Sequence, residues 1–300
     1  MKILVTGANG FLGNYLCHAL LLKGYQVIAT GRGACRLPFS ANPNFTFYTM
    51  DLIDLNQTRT IVSQSNPDFI FHAAAIGKPD DCELYKELAA AINTMGTRQL
   101  LELAAIAAIP FCYISTDFVF NGHAGNYREE DCVSPVNHYG VTKAEAELLV
   151  RSYASEWSIV RTVLVYGRPL TGRSNLLSIV QEKLAAGQPY AVVDDQVRTP
   201  TYVEDLVAGL LLILEKRATG IYHLCGEEVL TPFQMATKTA IYLGLDPGLI
   251  IRTNSAAFKQ PARRPLVTGL VIEKAKRELG FLPRSFEEGL QATFSSSLEY

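Results

Sequence analysis

No CxxC pair occurs among the six cysteines (Cys17, Cys35, Cys82, Cys112, Cys132 and Cys225), and no Cys/His cluster has zinc spacing. In a chain of 300 residues they read as free thiols of a reducing compartment. Long apolar runs are also missing. The longest uncharged one, Leu206–Leu214, is too short to cross a bilayer. The apolar run after Lys2 meets Gly7, which is too soon for a signal peptide, so a cytoplasmic protein is expected. Neither sign of charge dominates: 27 basic residues against 29 acidic leave a net charge of −2, with no field to draw nucleic acid. The single tryptophan, Trp157, and the scattered Tyr and Phe residues offer no stacking platform for bases. His18, His72, His123, His138 and His223 lack ligand spacing, so no metal is expected. There is no Gly/Ser linker and no internal repeat. What remains is 48% hydrophobic and 19% charged, the composition of a globular enzyme.

The first half alternates strand and helix signals. Apolar strand-like runs at Ile3–Thr6, Val27–Thr30, Phe45–Met50, Phe69–Ala73, Phe111–Ser115 and Ser158–Thr162 are separated by helical periodicity at Phe11–Leu22, Ile53–Ser65, Glu83–Ala107 and Tyr139–Ser155. This pattern predicts βαβ units and an α/β fold, a Rossmann-type doubly wound parallel sheet. After Tyr166 the rhythm breaks. Gly167–Ser174 reads as loop, and helices are predicted at Asn175–Ala186, Val203–Lys216, Pro232–Leu243 and Ile272–Leu279. Strands are predicted at Tyr190–Val193 and Ile221–Leu224. Residues 1–166 are therefore expected to form the dinucleotide-binding domain, with 203–224 returning to it. Residues 167–300 would supply mainly a smaller α/β substrate lobe.

Gly7-Ala8-Asn9-Gly10-Phe11-Leu12-Gly13 lies between the first strand and the first helix. Gly7 permits a tight turn, Gly10 admits a pyrophosphate to the backbone, and Gly13 lets helix and strand pack closely. The helix N-terminus offers unpaired N–H groups to the anion. The second strand ends at Thr30-Gly31-Arg32-Gly33, with Arg36 nearby and no acid before Asp51. Arginine there suits a 2′-phosphate, which favours NADP(H) over NAD(H). Tyr139 and Lys143 stand four apart at a helix start, on one face. An ammonium beside a phenol stabilises the phenolate and brings tyrosine towards useful acidity. Ser115-Thr116-Asp117 ends a strand, where ligands of doubly wound sheets bind. Thr116 is the better candidate to bond a substrate carbonyl, and Ser115 is its competitor.

These features together resemble an extended short-chain dehydrogenase/reductase over nearly the whole chain. Asp51-Leu52 looks like the pair that contacts adenine, Ala73-Ala74-Ala75 like the turn under the cofactor, and Asn93 like a family asparagine. Within the superfamily the chain is most similar to the dTDP-4-dehydrorhamnose reductases. The resemblance rests on Ser115-Thr116-Asp117-Phe118-Val119-Phe120-Asn121-Gly122, on Tyr139 to Lys143 with Glu147, and on Arg161 with Tyr166-Gly167. Asp195-Gln196 with Thr199-Pro200-Thr201-Tyr202, and Arg264-Pro265 with Leu270 and Lys274, extend it. Leu164 replaces a tryptophan usual in that group, Asn121 an aspartate, and Arg198 a frequent glycine.

The resemblance implies reduction of a 4-keto nucleotide sugar by hydride transfer. Thr116, Tyr139 and Lys143 would be catalytic, with Tyr139 as the acid. Gly7, Asn9, Gly10, Phe11, Leu12, Gly13, Arg32, Asp51, Leu52, Ala73, Ala74, Ala75, Tyr139 and Lys143 would bind the cofactor, and Asp117, Arg198, Tyr202 and Arg264 the substrate. A homodimer through the Leu88–Ala108 and Tyr139 helices would follow from the same likeness. Two alternatives stay open: a nucleotide-sugar epimerase or dehydratase, and an NADP-binding regulatory subunit similar to the beta subunits of methionine adenosyltransferase.

Overall fold

The computed structural model describes residues 1–170 and 174–295. Its centre is a seven-stranded sheet in which every pair is parallel. The first six strands are β1 (Lys2–Thr6), β2 (Gln26–Gly31), β3 (Phe45–Thr49), β4 (Phe69–His72), β5 (Phe111–Thr116) and β6 (Trp157–Thr162). Their spatial order is β3-β2-β1-β4-β5-β6, so the chain reverses direction across the sheet between β1 and β4. Side chains alternate between the two faces. Ile3, Val5, Phe69, Phe71, Cys112, Ile114 and Val160 enter one core. Leu4, Ile70, Phe111, Tyr113 and Ile159 enter the other. Burial on both faces explains why these strands read as continuous apolar runs.

Helix α1 (Phe11–Leu22) covers the first face, and α2 (Leu55–Ser65) follows β3. Between β4 and β5 the expected single helix is broken into α3 (Pro79–Leu84), α4 (Lys86–Ala89), a π-helical stretch at Ala90–Met95, and α5 (Gly96–Ile106). Tyr85 leaves helical geometry (φ −125°, ψ 62°), which separates α3 from α4. The wider π turn carries Asn93, whose amide grips the backbone of Ile76 through both its oxygen (2.8 Å) and its nitrogen (3.2 Å). The side chain of this one residue ties the distorted turn to the loop after β4, an irregularity that apolar periodicity does not reveal. Helix α6 (His138–Arg151) completes the second face.

Beyond β6 come β7 (Val165–Tyr166), α7 (Leu176–Ala185), β8 (Tyr190–Val193), β9 (Thr201–Tyr202), α8 (Val203–Lys216) and β10 (Gly220–His223). Strand β10 joins the edge of the large sheet beside β6. Leu206, Leu210 and Ile213 of α8 share a core with Leu16 and Leu20 of α1. The chain continues through α9 (Pro232–Tyr242), β11 (Ile250–Thr253), α10 (Glu273–Leu279) and α11 (Phe286–Ser295). Strand β8 pairs with β11 and β7 with β9. Val180, Leu184, Val192, Ala236, Ala240 and Ile250 form a small separate core between α7, α9 and the β8–β11 pair. Strand β11 and helix α11 have no counterpart in the sequence reading. Part of the Gly167–Ser174 loop lies outside the described residues, as does the end of the 167–300 segment.

Candidate active site

A cleft of about 1460 Å³ runs along the carboxyl edge of the sheet. One wall is the glycine turn after β1. Gly7 has φ +71°, and a Cβ there would lie 2.8 Å from the backbone of Ala74. At Gly13 a Cβ would lie 2.4 Å from the Gly7 carbonyl oxygen. These two glycines therefore let α1 sit down on the turn and the turn sit against Ala73–Ala75. No side chain caps α1, which leaves its N-terminus to face the cleft as an anion site. Beneath the turn, Thr6 Oγ1 accepts from Ala74 N (3.2 Å) and contacts His72 Nδ1 (2.7 Å). Burial, then the charge of Lys143, push His72 down to about 3, so it is a neutral strut. Arg32 and Arg36 stand exposed on the loop after β2, and Asp51 and Leu52 line the cleft below them.

The floor is made by β5 and α6. The period-2 alternation of β5 separates its last two hydroxyls. Ser115 donates to Glu147 Oε1 at 2.5 Å, and Glu147 is also gripped by Arg161 Nε (3.0 Å) and Nη2 (2.7 Å). Ser115 is thus tied into a buried ion pair and Thr116 donates to Asp117 Oδ1 at 3.0 Å, and both residues line the cleft. Asn137 caps α6 by accepting from Gly140 N at 2.9 Å. A Cβ on Gly140 would lie 2.2 Å from Phe118 O, so only glycine lets α6 press against the turn after β5. That contact brings Tyr139 to the cleft, its ring edge-on to Phe118 at 5.8 Å. Lys143, one helical turn on, is buried. Its Nζ donates to Ile114 O at 2.7 Å and lies 4.0 Å from the Tyr113 ring centroid. Burial lowers Lys143 to about 7, opposed by Glu147 and Cys82.

The opposite wall comes from distant parts of the chain. Arg198 is 3% exposed. It donates to Val197 O, Leu266 O, Gln196 Oε1 and Pro265 O at 2.7–3.1 Å, with Nε 3.8 Å from Asp117 Oδ2. Asp117 also accepts from Thr268, and burial raises its carboxyl above the usual range. Arg264 holds Asp80 of α3 through two nitrogens, at 2.9 and 2.8 Å. Leu164, at φ +36°, is 40% exposed and lines the same space.

All of the sequence-derived site residues except Tyr202 line this cleft. Tyr202 is a correction. Its strand pairs with β7, and its ring is buried 5.7 Å from that of Tyr166, with the Arg284 guanidinium 5.1 Å above it. A tyrosine next to a Thr-Pro-Thr segment gives no sign of which way its ring turns. Sequence reasoning missed Asn175, Leu176, Gln196, Pro232 and Met235, which line the far end of the cleft. It also missed Asp80 and Thr268, partners of Arg264 and Asp117. Asn175 had a readable signal, the capping box it forms with Ser178. Asp80 and Thr268 had none, because their partners are 184 and 151 residues away.

Comparison with known proteins agrees with this geometry. The RmlD substrate binding domain family matches residues 1–298. A dTDP-4-dehydrorhamnose reductase of Mycolicibacterium smegmatis is 32% identical over 97% of this chain and 84% of its own. Methionine adenosyltransferase 2 subunit beta of Xenopus tropicalis is 29% identical over 80% of this chain and 71% of its own. The crystal structure of a dTDP-4-dehydrorhamnose reductase from Bacillus anthracis in complex with NADP superposes with a TM-score of 0.84, at 27% identity, covering 98% of each chain. The chain belongs to the RmlD substrate-binding-domain family, has the fold of the extended short-chain dehydrogenases/reductases, and is an NAD(P)-dependent oxidoreductase.

Proposed function

We propose that the chain is an NADP(H)-dependent reductase of a 4-keto nucleotide sugar, with Tyr139 as the acid. The observation that carries this reading is the meeting of Thr116, Tyr139 and Lys143 with an uncapped glycine turn in one cleft. The cradle fits a dinucleotide, because Gly7 and Gly13 leave no room for a side chain and an uncapped helix end faces the space above them. Gly7, Gly10, Gly13 and the N-terminus of α1 would hold the pyrophosphate. Asp51 and Leu52 would hold the adenine end, and Ala73–Ala75 would support the middle. Arg32 and Arg36 favour the 2′-phosphate of NADP(H) over the bare hydroxyl of NAD(H).

When bound, a reduced nicotinamide supplies hydride to a carbonyl carbon. The chain's own groups manage the oxygen. Thr116 Oγ1, turned from Asp117, donates a hydrogen bond to it. Tyr139 gives it the proton. The Lys143 ammonium stabilises the phenolate left behind and binds the nicotinamide ribose. Asp117, Arg198, Arg264 and Leu164 shape the sugar end. The intact Thr116, Tyr139 and Lys143 favour catalysis over a purely regulatory role. Arg32 and Arg36 favour a reductase that exchanges NADP(H) over an epimerase that recycles bound NAD. The test is the loss of nicotinamide absorbance with dTDP-4-dehydrorhamnose, wild type beside Tyr139→Phe. Oxidation of NADPH that falls about 10²–10⁴-fold in the variant, with NADPH binding kept, is expected. Equal turnover in the two proteins would overturn the assignment of the acid.

A further inference from the structure

Asn9 does more than occupy a place in the glycine turn. The loop after β2 carries Arg32 and Arg36, and residues 32–36 are all exposed. An exposed loop of this kind does not hold two guanidinium groups in one place unless something fastens it. Its far end is buried through Leu37 and Phe39. Its near end is held by Met50 N, which donates to Gly31 O at 3.0 Å. Between them Thr49 Oγ1 donates to Gly33 O at 3.0 Å.

Three further side-chain bonds come from Asn9 in the glycine turn. Its Nδ2 donates to Arg32 O (3.3 Å) and Ala34 O (3.0 Å), and its Oδ1 accepts from Arg36 N (2.9 Å). Arg36 Nη2 returns a bond to Asn9 O at 3.3 Å. Asn9 is 5% exposed. Both amide hydrogens and one lone pair of its oxygen are committed to the loop, so little of the side chain is left for a nucleotide. Two carbonyl oxygens that would repel a phosphate beside the arginines are turned towards Asn9 instead. Arg32 and Arg36 both line the cleft, and a dianion is bound best by paired N–H donors.

We propose that Asn9 is a positioning residue: it clasps the Arg32–Arg36 loop to the glycine turn in the shape that accepts the 2′-phosphate, and so sets the choice between NADP(H) and NAD(H). The inference rests on the NADP(H) reading above. A clasp formed before the nucleotide arrives removes an ordering cost that the phosphate contacts must otherwise meet. Asparagine is the side chain that does this. Leucine has similar bulk but no bonds. Aspartate keeps the acceptor for Arg36 N but presents lone pairs to two carbonyls.

The experiment is equilibrium binding of NADPH and of NADH to the full chain, followed by nucleotide fluorescence, with thermal melting as the check on folding. Wild type, Asn9→Leu, Asn9→Asp and the double variant Arg32→Ala/Arg36→Ala are compared. The wild type is expected to prefer NADPH, and the double variant to lose that preference. Both Asn9 variants are expected to lower the ratio of NADPH to NADH affinity about tenfold, because the arginines are present but no longer preorganised. A wild-type ratio in folded Asn9 variants overturns the clasp and leaves the NADP(H) reading standing, as does an equal loss of both nucleotides. A wild type that binds the two equally overturns both.

Discussion

The two long walls of the cleft are built from different materials. Along β1 and β4 the surface is mostly backbone: a glycine turn of seven residues, a helix end without a side-chain cap, and a run of three alanines. Across from it the surface is side chains, and three of them are held by residues far along the chain. Arg198 reaches Pro265 and Leu266, Asp117 reaches Thr268, and Arg264 reaches Asp80. A backbone wall suits groups common to every turnover, because peptide N–H groups and helix ends bind phosphate whatever the neighbouring side chains are. A side-chain wall can change with the substrate, because replacing one residue alters its shape and charge without disturbing the sheet. The two walls should therefore fail in different ways.

The largest effect is expected on the side-chain wall. Arg198→Met leaves Asp117 buried without its cation and removes the side-chain donors to three backbone carbonyls, those of Val197, Pro265 and Leu266. A loss of about 3–5 kcal/mol is expected in urea unfolding. A loss below about 1 kcal/mol would mean that the wall is held by packing and not by this guanidinium. The backbone wall is broken by Gly13→Val. Its side chain collides with the Gly7 carbonyl, so α1 must shift at a cost of about 1–3 kcal/mol. NADPH binding should be lost along with it, and retained affinity would show that the turn tolerates movement. The smallest effect belongs to Asp80→Asn at the rim. Asp80 is partly exposed, so its pair with Arg264 contributes about 0.2–1 kcal/mol. The substrate KM should rise while the NADPH Kd holds. The reverse pattern would place Arg264 on the cofactor side.

The same contrast decides what could be read from the sequence. The glycine turn was legible because its physics is local, and the Tyr139–Lys143 pair because one helical turn fixes it. Ser115 and Thr116 both line the cleft, and the commitment of the Ser115 hydroxyl to Glu147, which local sequence does not reveal, favours the proposal of Thr116. The π turn at Asn93 was not legible, because it serves a contact with Ile76 that only the folded chain makes, and the break at Tyr85 leaves no mark on the apolar periodicity. Strand β11 escaped because only Ile250 of its four residues is buried, in the small separate core; α11 sends Phe286 and Leu290 into the main core, and the sequence reading stopped at Gly280. Tyr202 failed for a related reason. Its place in the segment was right, but the direction of its ring is set by Tyr166 and Arg284, which the local sequence does not specify.

The most direct test of the central claim is the fate of the transferred hydrogen. NADPH carrying deuterium at nicotinamide C4 is given to the enzyme with dTDP-4-dehydrorhamnose, and the sugar is examined by mass spectrometry. The account predicts one deuterium, from one of the two C4 faces only, bound to sugar C4 in the wild-type product, with little labelled product formed by Tyr139→Phe. A folded wild-type protein that binds NADPH and leaves the sugar unlabelled would contradict it.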